Sequence, residues 1–425
     1  MALLVTGAVL GCAVGAEENL YRLDVGNYPG QGVNSKANPG IASGSHSGYY
    51  IRFAEDLAAL CARPMTPAAS PFRLNVIATQ GGFDSVKRLR LESDVQLAVV
   101  QSDLWYYAKL YGNPESGTGS WLSAKTRNSW RQISEDIRLL VPLFTEKIHI
   151  VVAPYGKDKF GDLMGLFRNK ARVGVGTNGS GSMITCSLIE EMLLRQMRSK
   201  GEQTSSWRPQ FIAADAALDE LVKEDSDLDA VILVGAVPYP ALDKFGMKEI
   251  KKSGGLFTRT VKVAPLALLP IGEEADAIFD QNPDFKGYIK TSIKAEEYEF
   301  LTGEKGEIPT RGVTACLVTH KAYGSESSEE ARKRLLWVRH VLFRLLTNLD
   351  QGSESGLNRD VGPPEAGDKW QEIWEHLGRM GSGDLSWNSY GWQRHDDPIL
   401  RKMVDAWSGS YDKRPVSKVI DPDTF

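Results

Sequence analysis

The chain has 425 residues, 42% hydrophobic and 24% charged, and 50 basic against 54 acidic side chains leave a net charge of −4. That length suits two or three domains, or one two-lobed protein with an extension. The near-balance of charge gives no reason to expect nucleic acid or an anionic membrane surface as partner.

Residues 2–16 are apolar but fall short of the about 20 needed to span a bilayer. They resemble a signal-peptide core, with Val14-Gly15-Ala16 placed for cleavage before Glu17. No Lys or Arg precedes Arg22, so the usual basic start is missing. Val9-Leu10-Gly11-Cys12 reads alternatively as a lipoprotein site with a lipid anchor on Cys12. The plainest alternative is an apolar first element of a cytosolic protein; we expect export to the periplasm. The other cysteines are Cys61, Cys186 and Cys316, and no two of the four are close enough for a CxxC pair. This argues against a zinc site and favours three buried thiols over one disulfide.

Tyr21-Arg22-Leu23-Asp24-Val25 reads as a first strand. A glycine/serine loop from Gly40 to Tyr50 opens a helix whose stripe is Tyr50, Phe53, Ala54, Leu57, Ala58 and Cys61, ended by Arg63-Pro64. A strand over 72–78 leads into a second loop, Thr79 to Ser85, with Asp84 or Ser85 capping the next helix. A strand over 95–100 ends at Gln101-Ser102-Asp103. Residues 112–132 read as a polar insert. Strands follow over 148–152 and 172–175, then a third loop, Gly174 to Ser182, and a helix through Arg195. Short strands are expected at 211–213 and 230–234, a strand at 313–318, and a helix over 335–349. Residues 352–368 read as a linker. The stretch 369–411 holds Trp370, Trp374, Trp387, Trp392 and Trp407, half the tryptophans of the chain; packing back onto a lobe is favoured over partner docking. Strand, glycine loop, helix, strand is the unit of a parallel sheet.

A helix start leaves backbone N–H groups without intrahelical partners and carries partial positive charge. Glycine lets a ligand approach that backbone, and serine or threonine adds hydroxyls. Three such starts converging on one cleft would hold a small anion. Tyr49 is expected to face the cleft and Arg52 to be solvated, with Asp103 either an ammonium partner or a helix cap. Gly174-x-Gly176-x-x-Gly179 spells a dinucleotide fingerprint, but the acidic residue it requires comes too late, at Asp215. Ser182 stands where a Walker loop needs lysine. No G-x-S-x-G elbow or HExxH motif is present, and His395-Asp396-Asp397 reads as a solvated turn.

The order and content of these loops resemble the solute-binding proteins of the TAXI branch of TRAP transporters. The carrying segments are Ala42 to Tyr50, Thr79 to Asp84, Leu97 to Asp103 with Tyr106-Tyr107-Ala108, Gly174 to Ser182, Leu228 to Gly235 with Pro238, and Tyr298 with Val313 to Thr319. His46, Gly81-Gly82 and the long tail depart from the usual pattern. The resemblance implies an α/β, two-lobed periplasmic-binding fold of the second type; to this we add, for the tail, the expectation of a helical C-terminal extension. The resemblance also implies a small acid, such as glutamate, glutamine or a 2-oxo acid, delivered to a TRAP-type permease; our own reading of the residues adds dicarboxylic acids to the candidates and expects a monomer without cofactor or catalysis.

The ligand set expected is Ser43, Gly44, Ser45, His46, Gly48 and Tyr49 from loop one and Thr79, Gln80, Gly81 and Gly82 from loop two. Gln101 and Asp103 join them, with Thr177, Asn178, Gly179, Ser180, Gly181 and Ser182 from loop three, and Gly235 and Pro238. The expected division is a signal peptide at 1–16, lobe one at 21–144, lobe two at 147–309, a return crossing and helix at 310–350, and an extension at 351–425. The competing readings are a sensor that uses the same clamp and a dinucleotide-dependent enzyme that uses loop three.

Overall fold

The computed structural model describes residues 38–45, 48–62, 72–116, 123–202, 206–254, 257–282, 285, 287–302, 304, 306–324, 329–355 and 395–407. The signal segment, the strand at 21–25 and Trp370, Trp374, Trp387 and Trp392 lie outside these. The strands are β1 (Gly40–Ser43), β2 (Asn75–Ala78), β3 (Val95–Gln101), β4 (Ile137–Val152), β5 (Arg172–Gly174), β6 (Arg208–Gln210), β7 (Ala230–Gly235), β8 (Lys248–Gly254), β9 (Phe257–Val263), β10 (Ala267–Leu269), β11 (Ile289–Lys294) and β12 (Glu307–His320).

One sheet runs β2-β1-β3-β12-β4-β7-β5-β6, with β10 added to β4 and β11 to β12, while β8 and β9 pair separately. In the first half, β2, β1 and β3 are parallel, β12 lies antiparallel beside β3, and β4 follows beyond it. The second half repeats that order: β6, β5 and β7 are parallel, β4 lies antiparallel beside β7, and β10 follows beyond it. Each half is thus three parallel strands, one crossing strand and a fourth. The two-lobed α/β class with a helical C-terminal region is the architecture observed. Strands β3 and β7 are buried along their whole length, as expected of a sheet covered on both faces.

Several local expectations change. The first loop begins as a strand, because Ile41 and Ala42 are fully buried between β2 and β3. The strand expected at 72–78 is regular only over Asn75–Ala78. The second helix, Gly82–Leu91, is preceded by Gly81 at φ +138° and has no side-chain cap; Asp84 instead accepts from the Gln80 N–H and pairs with Arg88. The polar insert contains a helix, Ala124–Asp136, capped by Ser123 and anchored by the fully buried Trp130. The strand expected at 211–213 lies three residues earlier, as β6. The helix expected at 335–349 runs Glu329–Ser355, through the first residues assigned to the linker.

In the stretch His395 to Asp397, His395 and Asp397 are buried rather than solvated, while Asp396 is exposed. The Asp397 carboxylate pairs with Arg339 and caps the helix Pro398–Trp407 through the Leu400 N–H, while the His395 N–H reaches the Leu139 carbonyl. Leu400, Met403 and Val404 bury this helix against the core. Cys61, Cys186 and Cys316 are buried free thiols.

Gly40 sits where β1 passes between two neighbours. A Cβ there would lie 2.4 Å from the Asp94 carbonyl oxygen and 2.9 Å from Ile77 Cδ1. Its N–H is held by the buried Gln96 Oε1 at 2.9 Å. Gly40→Ala should therefore cost about 1–3 kcal/mol of stability by overpacking. Urea denaturation checks this; an unchanged midpoint would remove the steric argument.

Candidate functional site

The loops that follow β1, β2 and β5 all leave the carboxyl ends of parallel strands, the position at which open α/β sheets bind ligands. With Gln101 at the end of β3 and Gly235 at the end of β7 they enclose a cavity of about 760 Å³. Loop one contributes Gly44, Ser45, Gly48 and Tyr49 to its wall, and loop two contributes Thr79, Gln80, Gly81 and Gly82. Loop three contributes Thr177, Ser180, Gly181 and Ser182.

The remaining candidates fall elsewhere. Ser43 is fully buried, its hydroxyl near the Ile77 carbonyl and its own carbonyl bound by Thr79 Oγ1. Thr79 also meets Ser85 Oγ at 2.9 Å, and its N–H reaches the Gly44 carbonyl, so this residue clips loops one and two together. Asp103 is off the cavity wall: its buried carboxylate accepts from Thr185 and, at 2.9 Å, from Tyr288. Burial raises its pKa to about 6. Asn178 is exposed at the loop tip and Gly179 is packed beneath it, both off the wall. Pro238 is also off the wall, with its carbonyl taken by the Tyr49 hydroxyl. His46 lies outside the described residues.

The two halves meet closely around the cavity. The Tyr49–Pro238 bond joins helix Tyr49–Ala62 to the segment after β7. A Cβ on Gly81 would stand 3.0 Å from Gly179 O and Ser180 Cα, and one on Gly181 would overlap the Gln101 side chain. The glycines therefore let loops two and three approach backbone to backbone, in addition to the ligand role expected of them.

Some lining residues escaped the sequence reading. Arg52 lines the cavity instead of facing solvent. It stands three residues after Tyr49, hence on the same helix face, and that spacing was the missed signal. Tyr50 combines both roles: its ring packs in the core and its hydroxyl reaches the cavity floor, donating to Glu146 Oε2 at 2.5 Å. Glu146 is the lone acid of strand β4 and is buried. Burial raises its carboxyl from 4.5 to about 8, outweighing the Tyr50 and Gln101 hydrogen bonds that favour ionisation.

Tyr239, another lining residue, is held by a directed relay. His149 Nδ1 lies 2.9 Å from the Lys147 carbonyl, which can only accept, so Nδ1 carries the proton. Nε2 then accepts from the Tyr298 hydroxyl at 2.8 Å, and that oxygen accepts from the Tyr239 N–H at 2.7 Å. Burial lowers the His149 pKa to about 3, which keeps the ring neutral. Among the described residues no group of three His, Cys, Asp or Glu is placed to hold a metal ion, and no helix is long and apolar enough to cross a membrane.

The Glu146 carboxyl makes stability depend on pH with a definite sign. Its pKa is raised in the folded state, so the unfolded chain releases the proton first as pH rises. Stability is complete below 4.5 and declines as pH rises towards about 8. Glu146→Gln should remove this decline and be more stable than the parent at pH 8 by several kcal/mol, on the order of 3–5. Urea titrations at pH 5 and pH 8 measure it; an equal pH dependence in both proteins would show that Glu146 is ionised in the fold.

No curated protein matches the chain in sequence. Among solved structures it is similar to a Candida albicans protein described as exhibiting the generic periplasmic binding protein fold, at 12% identity over 90% of this chain and 94% of that one, TM-score 0.36. It is also similar to an amino acid ABC transporter substrate-binding protein from Streptococcus pneumoniae bound to L-arginine, at 12% identity, 81% and 95% coverage, TM-score 0.36. A Brucella ovis ABC transporter periplasmic binding protein with glutathione bound gives 9% identity, 77% and 72% coverage, TM-score 0.35. At these scores the fold assignment rests on the strand order described above. The match that assigns the chain is to a family model spanning residues 41–330, well over half its length: the chain belongs to the NMT1-like family.

Proposed function

We propose that this chain is an extracytoplasmic solute-binding protein that clamps a small carboxylate between its two lobes and passes it to a membrane permease. The observation that carries the reading is convergence: strand-end segments from both halves of the sheet surround one cavity, and three helix starts, at Tyr49, Gly82 and Gly181, open onto it. Ser45, Thr177, Ser180 and Ser182 add hydroxyls to the same wall. Ser182 Oγ accepts from the Val234 N–H at 3.0 Å, which leaves its own proton to donate. Such a surface offers donors to an anion without a covalent step, so binding rather than catalysis is the proposed role.

In the proposed cycle one lobe meets the ligand first and closure buries it under the other. Only contacts stronger in the closed form can drive closure. The finer parts of the reading come from the resemblance stated above. They are a TRAP-type permease and a ligand such as glutamate, glutamine or a 2-oxo acid; our reading of the residues adds lobes at 21–144 and 147–309, export by a cleaved leader or a lipid on Cys12, and a monomeric state.

Native mass spectrometry of the purified protein before and after mild denaturation tests the proposal. The expected result is release of a stoichiometric small acid. Release of a dinucleotide would replace the clamp by an enzyme using Gly174 to Gly179.

A further inference from the structure

We propose that Glu146 selects the ligand: the cavity takes an acid that also carries an amine, the ammonium seated against Glu146 and Gln101 and the carboxylate at the glycine/serine loops. The inference rests on the small-acid reading and defines the other end of that molecule. Glu146 lines the cavity, is 5% exposed, and takes part in no ion pair among the described residues, while its chain neighbour Lys147 is paired with Glu297. Beside it, Gln101 also lines the cavity at 4% exposure, and its Oε1 is buried without a hydrogen-bond partner. A buried acceptor left unmatched is costly, and an ammonium brings three donors.

The surroundings disfavour a second carboxylate at this end. The groups facing Glu146 are Tyr50 from the helix Tyr49–Ala62, Asp103 from the start of the helix Asp103–Gly112, Cys316 from β12 and Tyr239 from the segment after β7. All four are acids or neutral, so none of these immediate neighbours offsets an added anion. The charged groups Arg52 and Asp215 line the same cavity. An ammonium arriving beside the carboxyl would favour its ionised form. Since burial keeps Glu146 protonated near neutral pH, capture of an amine-bearing ligand should release that proton to solvent. No covalent bond forms or breaks.

The test uses the full chain and Glu146→Gln, which keeps the size of the side chain. Both are screened at pH 7 by thermal shift against the L-amino acids and their matching 2-oxo acids. The strongest binder is then titrated calorimetrically in phosphate and in Tris, whose ionisation enthalpies differ. The expected result is that an amino acid binds better than its 2-oxo counterpart, loses roughly tenfold to hundredfold affinity in Glu146→Gln, and releases close to one proton from the parent only. A 2-oxo acid binding as well as its amino acid, unchanged affinity in the variant, or equal heats in the two buffers would overturn the proposal while leaving the clamp intact. Failure of every compound to bind the parent would instead overturn the small-acid reading, and the proposal with it.

Discussion

The pairing of β4 with β12 is the constraint on which the rest of the molecule depends. These two long strands belong to both halves of the sheet, so the halves have no independent edge at their junction. The ladder shifts register between Thr314 and Cys316 and again between Leu317 and Val318. Such irregularities sharpen local twist. Glu146 pairs with Val313, and the next residue, Lys147, is the first to pair with β7. The cavity floor therefore lies where β4 begins to serve the second half, and a side chain there is seen by both.

Burial does much of the electrostatic work around that floor. Glu146 and His149 stand three residues apart on one strand and are held neutral by the same burial acting in opposite directions, an acid raised and a base lowered. Their neutrality serves different ends. The His149 ring fixes one tautomer and so the direction of the bonds that hold Tyr239, a role that needs no change of charge. The Glu146 carboxyl has its remaining reach towards the cavity. Asp103, further back, ties the helix Gly181–Ser199 to the first half through Thr185 and thereby steadies loop three from behind.

Legibility in the sequence followed locality. The three loops were visible because glycine and serine at a strand end have a local physical meaning, and the helix stripe from Tyr50 to Cys61 because its period is local. Glu146 was not visible: an acid between Thr145 and Lys147 acquires its meaning from Tyr50 and Gln101, distant in the chain. Asp103 misled for the same reason, since a strand-end carboxylate can face a ligand or, as here, a threonine and a tyrosine behind the wall. The helix Ala124–Asp136 was hidden by a mostly polar composition in which Trp130 and Ile133 alone supply the buried face with Thr126. The order shared by both halves emerges only from pairing, as β5 and β6 are three residues long and carry almost no pattern.

The two crossings also set an order of assembly. Every strand of the second half, from β4 to β12, is a continuous stretch of chain, whereas β3 in the first half waits for β12, more than two hundred residues later, before its open edge is covered. Pairings between such distant segments carry a large loop-closure cost and form slowly. During synthesis the later half can therefore mature first and present the crossing strand as a ready template, on which the earlier half, though made first, completes its sheet.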